Sequence, residues 1–178
     1  MANLYGKPVK RKELDARVSR MGQVAGVRLA TLEEGTSQGV KVADVHTGSG
    51  LNFTVALSRA MDIYAADYCG RALAWLSPVG LAAPAFYEPE GLGWLRTFGG
   101  GLLTTCGLTY LGAPDVDEGE ALGLHGRISN LPASRVCVSE EWAGEDYEMS
   151  IAGEVTEAVP VAGEFMRLRR KITARMGE

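Results

Sequence analysis

The chain has 178 residues, 46% hydrophobic and 22% charged, enough to bury one sizeable core and too apolar for a disordered tail. The 23 glycines argue against a helical bundle, and the lack of any uncharged apolar run of about 18 residues excludes a spanning helix. The formal charge of −4 is uneven. Six Lys/Arg against Glu13 and Asp15 give residues 1–20 a net +4, leaving −8 for the rest, a balance unsuited to nucleic acid.

Residues 10–18 form the helix candidate, with Leu14 and Val18 on one face and Pro8 just before it as a starter. The basic residues around it read as a solvated face. Beyond it the pattern changes to short strand-like runs. Val24–Ala30 is followed by Val40–His46, whose apolar residues point both ways. Thr47-Gly48-Ser49-Gly50 is a strong turn signal, and Leu51–Leu57 alternates cleanly through Leu51, Phe53, Val55 and Leu57. A second hairpin is expected for Ile63–Tyr68, turning at Cys69-Gly70-Arg71 into Ala72–Leu76. Residues 77–95 carry Pro78, Pro84 and Pro89 with three glycines and read as a long ordered loop, which in a compact domain is usually functional. A third hairpin joins Arg135–Trp142 to Tyr147–Thr156, and Glu164–Ile172 is a last strand. These hairpins predict an antiparallel all-β protein, a sandwich or barrel, with a short N-terminal helix as an accessory.

Three cysteines, Cys69, Cys106 and Cys137, stand more than 30 positions apart, so neither a disulfide framework nor a zinc site is indicated, and reduced, mostly buried thiols are expected. There is no signal-peptide pattern at the start, so a cytoplasmic location is expected. His46 ends an apolar strand and reads as structural. His125 lies in Gly123-Leu124-His125-Gly126-Arg127, with Asn130 close behind. Its flanking glycines permit close approach of a ligand, and the His–Arg–Asn set offers donors to hydroxyl oxygens. The run Thr97–Leu108 with its triple glycine fits no nucleotide-phosphate motif. It predicts a bulged strand bringing Thr104, Thr105 and Cys106 to a cleft floor, with Cys106 inert for want of a base. Arg59 and Asp62 follow a strand and either pair with each other or clamp a polar ligand. Trp75 and Trp94 flank the Pro/Gly-rich loop, where an indole ring can stack on a sugar face. Acidic residues at 88, 90, 115, 117, 118 and 120 read as solvated surface.

The segments AWLSP at 74–78, YEPEGLGWLRTFGGGLLTTCGL at 87–108 and GLHGRISNLPA at 123–133 resemble, in that order, an uncharacterised family of the galactose mutarotase-like, or aldose 1-epimerase-like, superfamily. The resemblance runs from about Gln23 to the C-terminus, with residues 1–22 as a helical lead-in. It implies an antiparallel β-sandwich with a sugar-binding cleft, and anomer interconversion of a free sugar by acid–base ring opening. His125 resembles the first of two cleft histidines. Arg59, Asp62, Trp75, Thr105, Arg127 and Asn130 are then the candidates for holding a monosaccharide or sugar derivative. No cofactor, metal or membrane partner is implied. One departure is local: the family tends to have Arg-Gly-Leu-Asp-Ile where this chain has Arg59-Ala60-Met61-Asp62-Ile63. The other is larger. Relatives carry a second His and a Glu, the acid and base, in a segment beyond Glu164–Ile172 that this sequence lacks. That leaves an incomplete sandwich and half a cleft, and the expectation of a complementing C-terminal segment or self-association through open strand edges. The alternatives are a non-catalytic sugar-binding or regulatory β domain and an inactive fragment.

Overall fold

The computed structural model describes residues 2–161 and 163–178. The chain opens with a small hairpin, β1 (Ala2–Leu4) and β2 (Lys7–Val9), closed by Tyr5-Gly6, both at positive φ. That is the two-residue geometry whose twist matches paired strands. Pro8 therefore sits in a strand rather than starting a helix. The expected helix over 10–18 shrinks to α1 (Arg11–Asp15), which starts from Lys10 directly after the hairpin and is capped at Ala16. Leu14 is its one buried residue.

Five strands then form an antiparallel meander: β3 (Gly26–Thr31), β4 (Lys41–His46), β5 (Leu51–Ala56), β6 (Asp62–Tyr68) and β7 (Arg71–Ala72). The β4–β5 hairpin follows the sequence expectation, with His46 opposite Asn52. The second expected hairpin is shorter than predicted. Cys69 and Gly70 both take positive φ and turn the chain tightly. After Ala72 the chain leaves the sheet, so Trp75 and Leu76 belong to a separate pairing of β8 (Trp75–Leu76) with β9 (Gly100–Gly101). An exposed hairpin follows, β10 (Asp115–Asp117) and β11 (Glu120–Leu122), which puts the acidic residues of this stretch in solvent.

The second large sheet is β12 (Ser134–Ala143), β13 (Asp146–Ala158) and β14 (Phe165–Arg175), paired in that order and antiparallel. Successive side chains of a strand alternate between faces. Tyr147, Met149, Ile151, Gly153, Val155 and Glu157 accordingly form the buried series of β13. The core lies between the two sheets, where Ala43, Val45, Val55 and Leu57 meet Tyr147, Met149 and Ile151. Ala2, Leu4, Leu14 and Met176 join the same cluster, so the ends of the described chain pack on the sandwich. Burying side chains such as Val55, Met149 and Ile151 contributes roughly 1.5–3 kcal/mol each. The fold is thus an antiparallel β-sandwich with almost no helix.

Residues 77–131 are largely irregular and cover one end of the sandwich, stiffened by 3-10 turns at Pro84–Phe86, Gly93–Thr97 and Ile128–Asn130. The bulged strand expected over 97–108 is only the two residues of β9 plus one bridge, Ile63 to Leu103. The cysteines are less buried than expected. Cys69 and Cys137 are exposed because they lie in a hairpin turn and on an outer strand, and Cys106 is intermediate. Among the described residues no helix is long and apolar enough to cross a membrane.

Candidate functional site

The loop region is anchored to the sandwich through the turn between β5 and β6. Ala60 and Met61 are fully buried and both take positive φ, at 53° and 60°. The left-handed region is open to glycine and unfavourable for a residue with a Cβ. A glycine at position 60, as in the resembling family, would suit this turn better than Ala60 does. The turn aims Arg59 and Asp62 into the loops.

Arg59 is 5% exposed. Its Nε donates to the carbonyl of Ser129 at 2.5 Å, and Nη1 donates to those of Ala82 at 2.8 Å and Thr97 at 3.0 Å. One guanidinium therefore ties together three loop segments far apart in sequence. Burial lowers its pKa to about 10, with Asp62 opposing the shift. Asn130, 3% exposed, belongs to the same layer: its Oδ1 accepts from Thr97 Oγ1 at 2.9 Å and its Nδ2 donates to Ser129 Oγ at 3.3 Å.

Asp62 and Thr105, singled out from sequence, do meet. Asp62 Oδ1 accepts from the backbone N–H of Thr105 at 3.0 Å and from its hydroxyl at 2.5 Å. A third donor is Arg170 of β14, 3.0 Å from the same oxygen, whose Nη1 also reaches the carbonyl of Ala60 at 2.8 Å and whose Nη2 donates to Thr105 Oγ1. Arg170 sits opposite Gly153 in the strand register. Burial pushes the Asp62 carboxyl up, and the Thr105 and Arg170 bonds hold it back. Cys106 is raised as well, by burial and by Asp62, which keeps it a protonated thiol.

Aromatic rings run from the rim inwards. Trp75, 62% exposed, lies 6.0 Å from Phe98; Phe98 stacks on Trp94 at 4.7 Å; and Trp94 meets His125 edge-on at 5.0 Å. Trp94 is fixed by its Nε1–H, which donates to Ser129 Oγ at 2.7 Å. His125 and Gly126 both take positive φ. The turn is held by His125 N–H to the Gly112 carbonyl, Gly107 N–H to the His125 carbonyl, and Tyr87 Oη to the Gly126 carbonyl at 3.1 Å. Gly123 is needed for close approach: a Cβ there would lie 1.9 Å from the Pro89 carbonyl oxygen. His125 Nδ1 is buried and has no hydrogen-bond partner. Arg127, next in the motif, is exposed.

Sequence reading missed Arg170, Phe98, Tyr87 and Glu157. Glu157 is 7% exposed; its Oε1 accepts from Thr109 Oγ1 at 2.9 Å and its Oε2 is buried without a partner. Extending the alternation from Tyr147, Met149 and Ile151 would have placed both Glu157 and the face it occupies. A separate groove of about 890 Å³ lies on the outer face of the five-stranded sheet, and none of the predicted site residues lines it. Its polar groups largely satisfy one another: Asp44 accepts from Arg28 and Thr54, and Asp67 from Asn52. His46 lines that groove and reaches the Gly22 carbonyl, in keeping with a structural role. Among the described residues no group of three or more His, Cys, Asp or Glu is placed to hold a metal ion.

Two packed antiparallel sheets with a loop-borne polar cluster at one end define a β-sandwich of the aldose 1-epimerase type. The protein from Klebsiella pneumoniae subsp. pneumoniae described as a "putative aldose 1-epimerase" superposes with a TM-score of 0.77 at 29% identity, over 85% of this chain and 40% of its own. This chain therefore spans about 40% of the length of that solved structure. Residues 37–178 match the model of DUF4432, a domain of unknown function, and the chain belongs to that family. No protein of curated function matches it.

Proposed function

We propose that this chain binds a monosaccharide at the His125 turn and contributes to aldose 1-epimerase-type chemistry, the interconversion of sugar anomers. The observation that carries the reading is the His125 ring, held edge-on against Trp94 with a buried, unbonded Nδ1. A ring nitrogen without a protein partner is suited to exchange a hydrogen bond with a sugar hydroxyl. In the reaction a base takes the anomeric hydroxyl proton, the C1–O1 bond becomes a carbonyl as C1–O5 breaks, and an acid delivers a proton to O5. Rotation about the C1–C2 bond and the reverse steps then give the other anomer. His125 serves as a polarising and hydroxyl-holding group, and Trp75 and Phe98 offer an apolar face for the sugar ring.

A second reading, sugar binding without turnover, is favoured by one observation: the Nε and Nη1 of Arg59 are engaged by backbone carbonyls rather than left for a ligand. Anomer exchange of D-galactose and D-glucose followed by NMR, beside ligand-induced thermal stabilisation, separates the two. Exchange faster than buffer, lost in His125→Ala, supports the epimerase reading. Stabilisation by sugar with exchange at the buffer rate leaves the binding reading. Neither effect would refute both.

A further inference from the structure

The inward face of β13 is apolar or glycine through Tyr147, Met149, Ile151, Gly153 and Val155, and then presents a carboxylate at Glu157. Only half of that carboxylate is satisfied. Thr109 donates to Oε1 at 2.9 Å, whereas Oε2 is buried with no partner. Buried polar atoms in folded proteins are nearly always bonded, so each exception asks for a missing partner. Among the described residues two side-chain atoms are in this state, Glu157 Oε2 and His125 Nδ1.

The surroundings place the two at the same end of the sandwich. Val155, two residues before Glu157, packs in one cluster with Ile128, three residues after His125, and with Leu108, which precedes Thr109. Tyr87 bonds the carbonyl of Gly126, next to His125, and Glu157 and Arg127 both act electrostatically on its hydroxyl. The charged and titratable groups around Glu157 are Arg127, Glu164 and Tyr87. We propose that Glu157 is a second ligand-contacting residue of this site, its free Oε2 accepting a hydroxyl hydrogen of an uncharged sugar. This rests on the sugar reading above and adds the ligand class: a carboxylate acceptor favours neutral aldoses and disfavours sugar acids.

The test compares the wild-type chain with Glu157→Gln and Glu157→Asp, titrated with D-galactose, D-glucose and D-glucuronate by NMR, with thermal unfolding of each variant alongside. Gln keeps the shape and removes the charge; Asp keeps the charge and withdraws it by one methylene. The expected result is neutral sugars bound more tightly than glucuronate, at least tenfold weaker binding in either variant, and a midpoint in Glu157→Gln no lower than wild type. Affinity within twofold of wild type in Glu157→Gln overturns the inference while leaving the sugar reading intact. Preference for glucuronate overturns the ligand class. Loss of fold in both variants assigns Glu157 to the scaffold and overturns its role as a contact. A wild-type chain that binds none of the three refutes the sugar reading and this inference with it.

Discussion

Replacing Arg59 with Met tests whether the loop layer is held by one buried cation. The guanidinium makes three hydrogen bonds to carbonyls of Ala82, Thr97 and Ser129. Hydrogen bonds involving a charged donor contribute about 1.5–3 kcal/mol each, or roughly 6 kcal/mol for three. Against this stands the cost of burying the charge. A pKa lowered from 12.5 to about 10 corresponds to about 3 kcal/mol at 1.36 kcal/mol per unit. Met removes both, so the net loss is about 3 kcal/mol. With a urea m-value near 2 kcal/mol/M, the midpoint should fall by about 1.5 M. Arg59→Lys, whose single ammonium cannot span three carbonyls in a forked geometry, should lose roughly half as much. Equilibrium urea unfolding by tryptophan fluorescence is the assay, since Trp94 sits in the affected layer. A loss under about 0.5 M for Arg59→Met would refute the reasoning, and would return Arg59 to the role of a ligand clamp if sugar binding fell instead.

Gly123→Ala would set a Cβ 1.9 Å from the Pro89 carbonyl oxygen, and should cost about 3 kcal/mol and speed proteolysis of residues 87–93. Gly22→Ala, which meets nothing within 4 Å, is the control and should be near neutral. Arg170→Met leaves the Asp62 carboxylate buried without its cation and should cost about 3 kcal/mol. Adding Asp62→Asn should recover more than half of that, and a double-mutant cycle showing simple additivity would sink the pairing. Burial raises the Asp62 and Glu157 carboxyls in the folded state, so their protonation favours folding. The stabilisation is present below the ordinary carboxylate pKa and is lost as pH rises through the folded value. Thermal midpoints from neutral pH down to about 4.5 should therefore rise less, or fall more, in Glu157→Gln than in wild type; a wild-type-minus-variant difference independent of pH would contradict the raised value.

The sandwich was legible wherever one face of a strand is dry. Leu51, Phe53, Val55 alternate, Thr47–Gly50 turns, and the β4–β5 hairpin follows; Tyr147, Met149, Ile151 do the same for β13. The N-terminus was misread because Pro8 satisfies the local rule for a helix start, while Tyr5-Gly6 closes a hairpin that brings Leu4 into the core. The loop layer was opaque for a different reason. Arg59 is held by backbone carbonyls, and a carbonyl is the same at every residue, so no spacing of side chains announces Ala82, Thr97 and Ser129 as its partners. Arg170 was readable in principle: Leu168, Arg170 and Ile172 share a face of β14, and a charge within such a row implies a buried partner.

The buried polar side chains of the described residues divide into two groups, and the division separates scaffold from the site proposed above. Arg59, Asp62, Asn130, Ser129 and Thr97 are all buried and all bonded to one another or to backbone, as a structural network must be. His125 Nδ1 and Glu157 Oε2 are equally buried and unbonded. Leaving a buried polar group unpaired costs about 1–3 kcal/mol, comparable to a sizeable part of a domain's net stability. Among the described residues the other buried side-chain polar atoms all have partners, so these two atoms at one end of the fold are the ones available to the ligand proposed above. Arg59 and Asn130, candidates from sequence for holding a sugar, make their hydrogen bonds within that network. The atoms left open to chemistry belong to a turn that glycines shape and to the last inward-facing residue of a strand.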